Sequence, residues 1–310
     1  MGAKPKIFID GREGTTGLQI YERLDGRGDI DLLLIDESKR KDISERKNYL
    51  NEADLVFLCL PDDAARESVA LVENGDTRVI DASTAHRTHP DWVYGLPELS
   101  KAHSDAIKNA RRVANPGCHA TGFILTVYPL IALGILPPDY PLTCISPTGY
   151  SGGGKAMIAE YEEHKTEGMH APGLYALGLK HKHLPEMMAV TGLKRAPVFC
   201  PFIDDYYKGM ATSVTLHNDM LSKRMTAAGI RDELADYYAG QRYVKVAPEL
   251  GNGTLYCNWG AGTNDLEITV SGNEAQTVVT ARLDNLGKGA SGAAVQNMEL
   301  MLGLEGVVGI

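Results

Sequence analysis

The 310 residues are enough for about two domains, and 44% hydrophobic with 23% charged residues is the composition of an ordinary globular protein. The net charge is −9 and no segment concentrates basic residues, which excludes nucleic acid and anionic membranes as expected partners. Five widely spaced cysteines without a C-x-x-C pair predict neither a disulfide framework nor a zinc site, so we expect no metal and a reducing, cytoplasmic location.

Two further patterns bear on location. The first strand-like run begins at residue 6, which predicts that the chain has no signal peptide. The longest apolar stretch, 122–136, is too short for a membrane span and contains Pro129. We therefore interpret this stretch as a buried core helix and expect no membrane partner.

Strands and helices alternate in the first third of the chain. Short apolar runs predict strands at 7–9, 31–35, 53–60 and 78–81. Helical patterns separate some of them, at 17–24 and 62–73. Near-continuous apolar strands joined by helices are typical of a parallel sheet covered on both faces. The fold class is therefore α/β, with a Rossmann-like, doubly wound parallel sheet.

The pattern changes after residue 118. Runs rich in β-branched residues predict strands at 144–147, 198–202, 211–217, 255–259, 266–271 and 277–283. Helical patterns lie at 156–164, 223–238 and 290–302, and we expect the last to pack on the first domain. The prediction is a dinucleotide-binding domain of residues 1–117 and 287–310. Residues 118–286 would form a mixed α+β domain for catalysis, substrate binding and oligomerisation.

Cys118 stands between a tight turn at Pro116 and Gly117 and the start of a predicted helix. Unpaired N–H groups and partial positive charge at a helix N-terminus favour the thiolate, which is the reactive form of cysteine. We expect Thr121 or His119 to satisfy donors of the first turn. The segment therefore predicts an activated nucleophile, with a buried structural thiol as the alternative.

A glycine-rich turn follows the first strand and opens the first helix, with G-x-x-G-x-x-G spacing. Glycines in this position let backbone N–H groups approach a pyrophosphate at the helix N-terminus, and neighbouring hydroxyls can add donors. The alternative is a β–α turn that binds nothing. The predicted dinucleotide contacts are Gly11, Gly14, Thr15, Thr16 and Gly17.

The end of the second strand carries conflicting signals about the cofactor. Asp36 is the kind of residue that accepts the ribose hydroxyls of NAD. Ser38, Arg40 and Lys41 follow at once, and clustered cations suit the 2′-phosphate of NADP. We predict NADP, with a solvated charged loop as the alternative.

Three more segments are candidate ligand contacts. Residues 149–156 resemble a phosphate-binding P-loop but end in Ala156 where a magnesium-binding Ser or Thr is required, so we exclude a nucleoside triphosphatase. The segment is kept as an anion or cofactor contact, with a flexible surface loop as the alternative. Loops after the fourth strand and before the last helix can also reach a ligand. The candidates are Ser83, Arg87, Gly152, Lys155 and Asn285.

His181 and His183 are two residues apart and point the same way if their segment is extended. Such a pair can bind a metal, but no third ligand has a suitable spacing. Glu186 is close enough in sequence to fix a histidine tautomer for acid–base catalysis.

Taken together, these segments resemble the shorter variety of N-acetyl-γ-glutamyl-phosphate reductase, which belongs with aspartate-semialdehyde dehydrogenase and, more distantly, glyceraldehyde-3-phosphate dehydrogenase. The matching segments occur in the same order over nearly the whole chain. The histidine segment, 180–186, distinguishes this family from the aspartate-semialdehyde enzymes. Asp36 departs from what an NADP enzyme is expected to carry. The matching segments are 10–17, 60–63, 81–84, 94–98, 115–118, 149–154, 180–186 and 285–290.

The resemblance implies a reaction of arginine biosynthesis with named roles. Cys118 attacks N-acetyl-γ-glutamyl phosphate and expels phosphate, and NADPH reduces the thioester to N-acetylglutamate 5-semialdehyde. His181 is the implied acid–base group, supported by His183, Glu186 and Tyr175. Backbone N–H groups at the helix start would stabilise the oxyanion. Further implied contacts are Leu60 and Pro61 for the cofactor and Asn115, Arg87 and Lys155 for the substrate.

Relatives form dimers or tetramers, so we expect a homo-oligomer whose partners are otherwise a small-molecule substrate and phosphate. Two alternatives remain open. One is another phosphorylating semialdehyde dehydrogenase, acting on β-aspartyl phosphate. The other is a non-enzymatic NADP-binding protein whose Cys118 senses redox state.

Overall fold

The apolar segments of the chain form two sheets, and helices pack on each of them. A computed structural model describes residues 3–251 and 253–304. The strands are β1 (Lys6–Asp10), β2 (Asp31–Leu33), β3 (Leu55–Leu58), β4 (Arg78–Asp81), β5 (Val93–Tyr94), β6 (Arg112–Ala114), β7 (Thr143–Gly149), β8 (Gly173–Leu174), β9 (Val198–Asp204), β10 (Met210–His217), β11 (Val244–Val246), β12 (Leu266–Gly272) and β13 (Gln276–Leu283). The helices are α1 (Thr15–Leu24), α2 (Ile43–Glu52), α3 (Asp62–Leu71), α4 (Lys101–Asn109), α5 (Cys118–Ala132), α6 (Gly154–Glu163), α7 (Leu184–Thr191), α8 (Ala227–Tyr237) and α9 (Gly292–Leu302).

Two compact units divide the chain. The first contains residues 3–116 and 290–304, and the second is Gly117–Gly289. The predicted domains also include residues 1, 2 and 305–310, and the second includes residue 252, all of which lie outside the described residues. In the part of the chain that is described, every helix is too short or too polar to cross a membrane.

The first unit is a parallel sheet in the order β2-β1-β3-β4-β6-β5. Successive residues of a strand point to opposite faces. Ile7 and Ile9 therefore enter one core with α1, α4 and α9, while Phe8 enters the other with residues of α2 and α3. The strand order reverses between β1 and β3, which is where ligands bind in such sheets.

The second unit is a mixed sheet in the order β11-β12-β13-β10-β7-β9-β8. Helix α5 packs on β10 and β13, and α8 packs on β12. Helix α5 is buried along most of its length despite Pro129, which confirms the predicted core helix. The predicted fold class, a Rossmann-like parallel sheet plus a mixed α+β domain, is confirmed.

The predicted strand at 255–259 is wrong. These residues form an irregular segment and turns, because they contact the buried Arg282 cation instead of joining a sheet. The Trp259 ring lies 5.2 Å from the Arg282 guanidinium, and the Tyr256 carbonyl accepts from that guanidinium at 3.3 Å. Helix α8 also begins four residues later than predicted, because the Thr226 side chain caps it by accepting from the N–H of Gly229.

A buried ion pair ties α9 to the loop between α1 and β2. Arg27 donates to Glu299 Oε1 at 2.6 Å and to both carboxylate oxygens of Asp29 at 3.0 and 2.7 Å. The side chains of Arg27 and Glu299 are only 4% and 5% exposed. Both carboxylates raise the pKa of Arg27, and the Arg27 guanidinium lowers the pKa of Asp29.

Arg27→Gln is expected to lower the free energy of unfolding by about 3 kcal/mol, because it leaves the buried Glu299 carboxylate without its cation. Urea denaturation of the full chain measures the change. Lys101→Gln is the matched control, since the Lys101–Asp105 pair is exposed and contributes little. Equal stability of the two variants would contradict the prediction.

Candidate functional site

Cys118 is the first residue of α5 and is half-buried. No side chain caps this helix, whose N-cap is Gly117. The expected capping by Thr121 or His119 is wrong. The hydroxyl and the N–H of Thr121 both donate to the Gly117 carbonyl, at 3.1 and 2.8 Å, and His119 points its ring elsewhere. The N–H groups of the first turn, which lack acceptors within the helix, thus surround the thiol-bearing residue without a side-chain cap.

His119 is buried and contacts polar groups through both ring nitrogens. Nδ1 lies 2.7 Å from Ser146 Oγ on β7, and Nε2 lies 2.8 Å from Tyr175 Oη. Burial, and then the charges of His181 and Lys182, lower the pKa of His119 to about 3. The ring is therefore neutral at ordinary pH.

Tyr175 follows β8 and is brought close to the cysteine. Burial raises the pKa of Tyr175, and the charge of the Cys118 thiolate raises it further. The phenol therefore keeps its proton and can act only as a neutral hydrogen-bonding group. The structure thus brings together Cys118, Tyr175, His119 and, as described next, the two predicted histidines.

His181 and His183 lie in a turn, not in the extended segment considered from the sequence. His183 has φ −87° and ψ −12° and directly precedes α7, which begins with Leu184 and Pro185. The two rings nevertheless meet edge to face, with centroids 4.6 Å apart. The backbone N–H of His183 donates to His181 Nδ1 at 3.1 Å, so neutral His181 carries its proton on Nε2.

Glu186 is only 1% exposed and accepts from the backbone N–H of Gly117 at 3.2 Å. The carboxylate on α7 thus holds the residue that precedes Cys118. We expected Glu186 to fix a histidine tautomer, but for His181 the backbone of His183 makes the contact that does so.

Gly289 is a site residue that the sequence analysis did not identify. A Cβ at this position would lie 2.8 Å from the Cβ of Cys118, which is closer than real Cβ contacts. Only glycine therefore lets the segment before α9 pass the nucleophile. The sequence signal was the pair of glycines flanking Lys288, which we interpreted as a turn that can approach an anion or cofactor, with plain helix entry as the alternative.

A cavity of about 490 Å³ lies in the first unit, at the carboxyl ends of β1 and β3. Gly11 forms its floor with φ +86°, and a Cβ there would lie 2.4 Å from the Cys59 carbonyl oxygen. The predicted contacts that line the cavity are Gly11, Gly14, Arg40, Lys41, Leu60 and Pro61. Thr15, Thr16, Gly17 and Ser38 do not line it.

Three observations bear on whether this cavity fits a dinucleotide. Gly11 leaves the backbone accessible, as a pyrophosphate requires. The Thr15 hydroxyl at the start of α1 is buried, and no described group hydrogen-bonds to it. Arg46 is fixed at the wall by Asp10, at 3.2 and 2.8 Å, and by Ser68 at 2.6 Å. These features fit an anionic nucleotide.

The structure changes the interpretation of the charged loop after β2. Asp36 Oδ1 accepts from the backbone N–H and the hydroxyl of Ser38, at 2.8 and 2.5 Å, and these bonds lower the pKa of Asp36. Asp36 and Ser38 thus serve to cap a short 3-10 turn. Glu37, Arg40 and Lys41 are the residues of this loop that line the cavity.

The remaining candidates of the first unit lie after β4. The Ser83 hydroxyl donates to Asp81 at 2.7 Å, so this side chain shapes the loop. Arg87 donates to the carbonyls of Asn115 and Ala82, at 3.0 and 3.1 Å. Arg87 and Asn115 are therefore neighbours, as two substrate contacts must be.

The remaining candidate contacts lie in the second unit, where the Asn285 side-chain amide connects their loops. Asn285 accepts from the N–H of Gly209 at 2.8 Å and donates to Ser151 Oγ at 3.0 Å, which joins three loops. Gly152 and Lys155 follow Ser151 and are exposed. The cofactor contacts of Gly152 and Asn285 stay predictions.

Two family models cover most of the chain. Residues 6–110 match "Semialdehyde dehydrogenase, NAD binding domain", and residues 118–285 match "Semialdehyde dehydrogenase, dimerisation domain". Solved structures of similar fold include aspartate semialdehyde dehydrogenase II from Vibrio cholerae in complex with ASA (TM-score 0.74, 15% identity, 97% of this chain and 99% of that chain). Another is the aspartate semialdehyde dehydrogenase of Francisella tularensis (TM-score 0.72, 14% identity, 95% and 99%). At this identity the likeness concerns the fold alone.

Curated relatives are much more similar in sequence. N-acetyl-gamma-glutamyl-phosphate reductase of Sinorhizobium medicae is 50% identical, with 96% of this chain and 99% of the relative covered. N-acetyl-gamma-glutamyl-phosphate reductase 2 of a Nostoc species is 48% identical, with 99% of both covered. The enzyme of the same name from Pseudomonas putida is 46% identical, with 96% and 97% covered. Identity of this order over almost the full length shows that the chain belongs to the N-acetyl-gamma-glutamyl-phosphate reductase family of semialdehyde dehydrogenases.

Proposed function

We propose that the protein is an oxidoreductase that converts N-acetyl-γ-glutamyl phosphate to N-acetylglutamate 5-semialdehyde and phosphate with NADPH, in arginine biosynthesis. Family membership supports the substrate and the reaction. The observation that carries the mechanism is the placement of Cys118 at the N-terminus of α5, which no side chain caps. Tyr175 lies close to this thiol, and Glu186 holds the preceding residue, Gly117, by a hydrogen bond.

Cys118 is the nucleophile of this proposal. Its thiolate forms a bond to the acyl carbon, and the bond from that carbon to the phosphate oxygen breaks, so that phosphate leaves with the electron pair. The first-turn N–H groups of α5 stabilise both the thiolate and the negative charge that develops on the acyl oxygen. Glu186 keeps the turn in place by accepting from Gly117.

His181 supplies a proton from Nε2. Because its Nδ1 accepts from the backbone of His183, the neutral ring is a proton donor on the opposite nitrogen. The acyl oxygen takes this proton once the carbon has been reduced, and returns it to His181 as the C–S bond breaks, the Cys118 thiolate leaves with the electron pair and the aldehyde is released. His183 therefore contributes through its backbone, and its ring packs against His181.

The glycine-lined cavity of the first unit fits the nucleotide part of NADPH. Arg40 and Lys41 would hold the 2′-phosphate, and Gly11 and Gly14 would admit the pyrophosphate. When bound, NADPH supplies the hydride that brings the thioester to the aldehyde level. Leu60 and Pro61 form the apolar wall of this cavity.

The other assignments are part of the same proposal. Residues 1–117 and 287–310 bind the cofactor, and residues 118–286 carry the nucleophile and the oligomer interface. Arg87, Asn115 and Lys155 hold the carboxylate or the phosphate of the substrate. A cytoplasmic location is also part of the proposal, and the described cysteines are free thiols.

One face of the second sheet supports a homo-oligomer, in agreement with the dimerisation domain of the family model. A row of paired residues crosses this face: Cys200, Ile145, Ser213, Thr280 and Thr269. Ile145 is 42% exposed, and Val198 on the same face is 49% exposed. The opposite face is buried under α5 and α8. This row carries no charge, and Ile145 and Val198 expose apolar surface at one end of it, which suits a subunit interface.

The reverse reaction tests the function. We expect phosphate-dependent formation of NADPH from N-acetylglutamate 5-semialdehyde and NADP⁺, followed by absorbance. Cys118→Ser should lower the rate by at least about 1,000-fold, because the hydroxyl does not ionise as the thiol does. Cys257→Ser is the matched control and should keep its rate.

Three results would contradict this proposal in different ways. Activity on aspartate semialdehyde instead would keep the mechanism and change the substrate. Undiminished activity of Cys118→Ser would exclude covalent catalysis by this residue. Binding of NADP⁺ without turnover of either aldehyde would leave a redox-sensing protein.

The cofactor preference depends on two cations. Replacing both Arg40 and Lys41 by Ser is expected to raise KM for NADP⁺ by about 10-fold to 100-fold, because charge-assisted hydrogen bonds to the 2′-phosphate are lost. KM for NAD⁺ should stay unchanged. Lys39→Ser is the control, since Lys39 pairs with Glu45 outside the cavity. A parallel loss for both cofactors would show that the two cations do not read the 2′-phosphate.

The exposed sheet face predicts the oligomeric state. Ile145→Lys should halve the mass of the oligomer, to 33.6 kDa for a dimer and to that of a dimer for a tetramer, because it places a charge in this contact. Light scattering after gel filtration measures the mass. Leu18→Lys, at the same 42% exposure on α1, should leave it unchanged. An unaltered mass for Ile145→Lys would place the interface elsewhere.

A further inference from the structure

His119 lies at the centre of the cluster around Cys118 but has no part in the reaction just described. Its ring stands edge to face with Phe199 of β9 at 5.3 Å and with His181 at 5.5 Å, and it is tilted against His183 at 5.7 Å. Its two nitrogens contact Ser146 and Tyr175, as described above. Because both nitrogens of this buried ring have hydrogen-bond partners, those partners determine which nitrogen carries the hydrogen of the neutral ring.

Ser146 decides that arrangement. Its hydroxyl has one hydrogen and two lone pairs, and it meets three partners: His119 Nδ1 at 2.7 Å, Thr212 Oγ1 at 3.0 Å and the Ala211 carbonyl at 3.1 Å. The carbonyl can only accept, so Ser146 donates to it. Ser146 then accepts from Thr212 and from His119, and all three contacts are satisfied. The alternative, donation to His119, would set two oxygen acceptors against each other at 3.1 Å.

The hydrogen of neutral His119 is thus on Nδ1, which leaves Nε2 with a lone pair. Tyr175 Oη lies 2.8 Å from this nitrogen, so the phenol donates its hydrogen to His119. The lone pairs of the phenol oxygen are then the part of Tyr175 that can meet a donor on the substrate or on Cys118. The low pKa of His119 agrees with a ring that accepts this hydrogen bond without becoming charged.

We propose that His119 and Ser146 are positioning residues, which act through Tyr175 and fix its hydroxyl as a hydrogen-bond acceptor toward the nucleophile. The effect on turnover rests on the proposed function. The tautomer does not, since it follows from the hydrogen-bond partners of Ser146. The groups that face His119 are Ser146 from β7, Phe199 from β9, Thr212 from β10, and Tyr175, His181, Lys182 and His183 from the segment before α7.

The tautomer is measured by NMR of the full-length protein labelled with ¹⁵N-histidine. We expect the His119 signals, assigned by their loss in His119→Asn, to show a protonated Nδ1 and an unprotonated Nε2 between pH 7 and pH 5. A protonated Nε2, or a ring protonated on both nitrogens in this range, would overturn the proposal. This measurement is independent of any enzyme activity.

The positioning role is tested by a double-mutant cycle on kcat. Ser146→Ala should lower kcat about 10-fold with little change in KM, because the ring loses the partner that orients it. Tyr175→Phe removes the group through which the effect passes, so adding Ser146→Ala to it should have no further effect. Multiplying losses in the double variant would show that Ser146 acts independently of Tyr175 and would overturn the role.

Two controls separate this role from general damage to the core. Thr126→Val removes another buried hydroxyl from α5, and its effect on kcat should be small and should multiply with that of Tyr175→Phe. Tyr238→Phe removes a buried phenol that donates to the Leu125 carbonyl, and it should keep kcat. If wild-type protein lacks phosphate-dependent turnover, the proposed function fails, while the NMR result still decides the tautomer.

Discussion

The burial of α5 is the constraint on which the site depends. The helix begins with the nucleophile and continues as the core of the second unit, packed on β10 and β13. At Gly122 a Cβ would lie 2.7 Å from Thr212 Oγ1, so the helix approaches the sheet at a distance that only glycine allows. A first turn anchored in this way keeps its N–H groups and Cys118 in place, because any shift would disturb a close-packed interior.

Around this anchor, the site relies on directed hydrogen bonds and on few charges. Carbonyl and amide groups of the backbone determine the two tautomers: Ala211 acts on His119 through Ser146, and His183 acts on His181 directly. Backbone groups hold their orientation with the sheet and the turn to which they belong. The protonation pattern of the side chains is therefore a property of the fold, and it is prepared before any ligand arrives.

Much of the fold was predictable, because hydrophobic periodicity reports burial directly. The alternation before residue 118 was enough to predict the parallel sheet, and the apolar stretch at 122–136 was enough to predict a core helix. The segment 255–259 was not predictable in this way, since Trp259 is apolar but serves to cover Arg282. The role of Trp259 depends on Arg282, a partner that hydrophobic periodicity does not identify.

The site was predictable to a smaller degree. A cysteine at a helix start and a pair of histidines are visible as motifs, because their chemistry lies in adjacent residues. The contacts of His119 reach 27 and 56 residues along the chain, to Ser146 and Tyr175, so no local pattern reports them. For the same reason Asp36 could not be distinguished from Glu37 as the residue that faces the cavity.

Helix α9 gives the first unit an unusual dependence on the end of the chain. Ala294, Val295 and Met298 complete the core that begins at Ile7 and Ile9. During synthesis, the residues up to 116 leave the ribosome with one wall of this core still absent. The second unit, Gly117–Gly289, has all its strands before that wall is made. The part of the protein that is translated first is thus the part that completes its folding last.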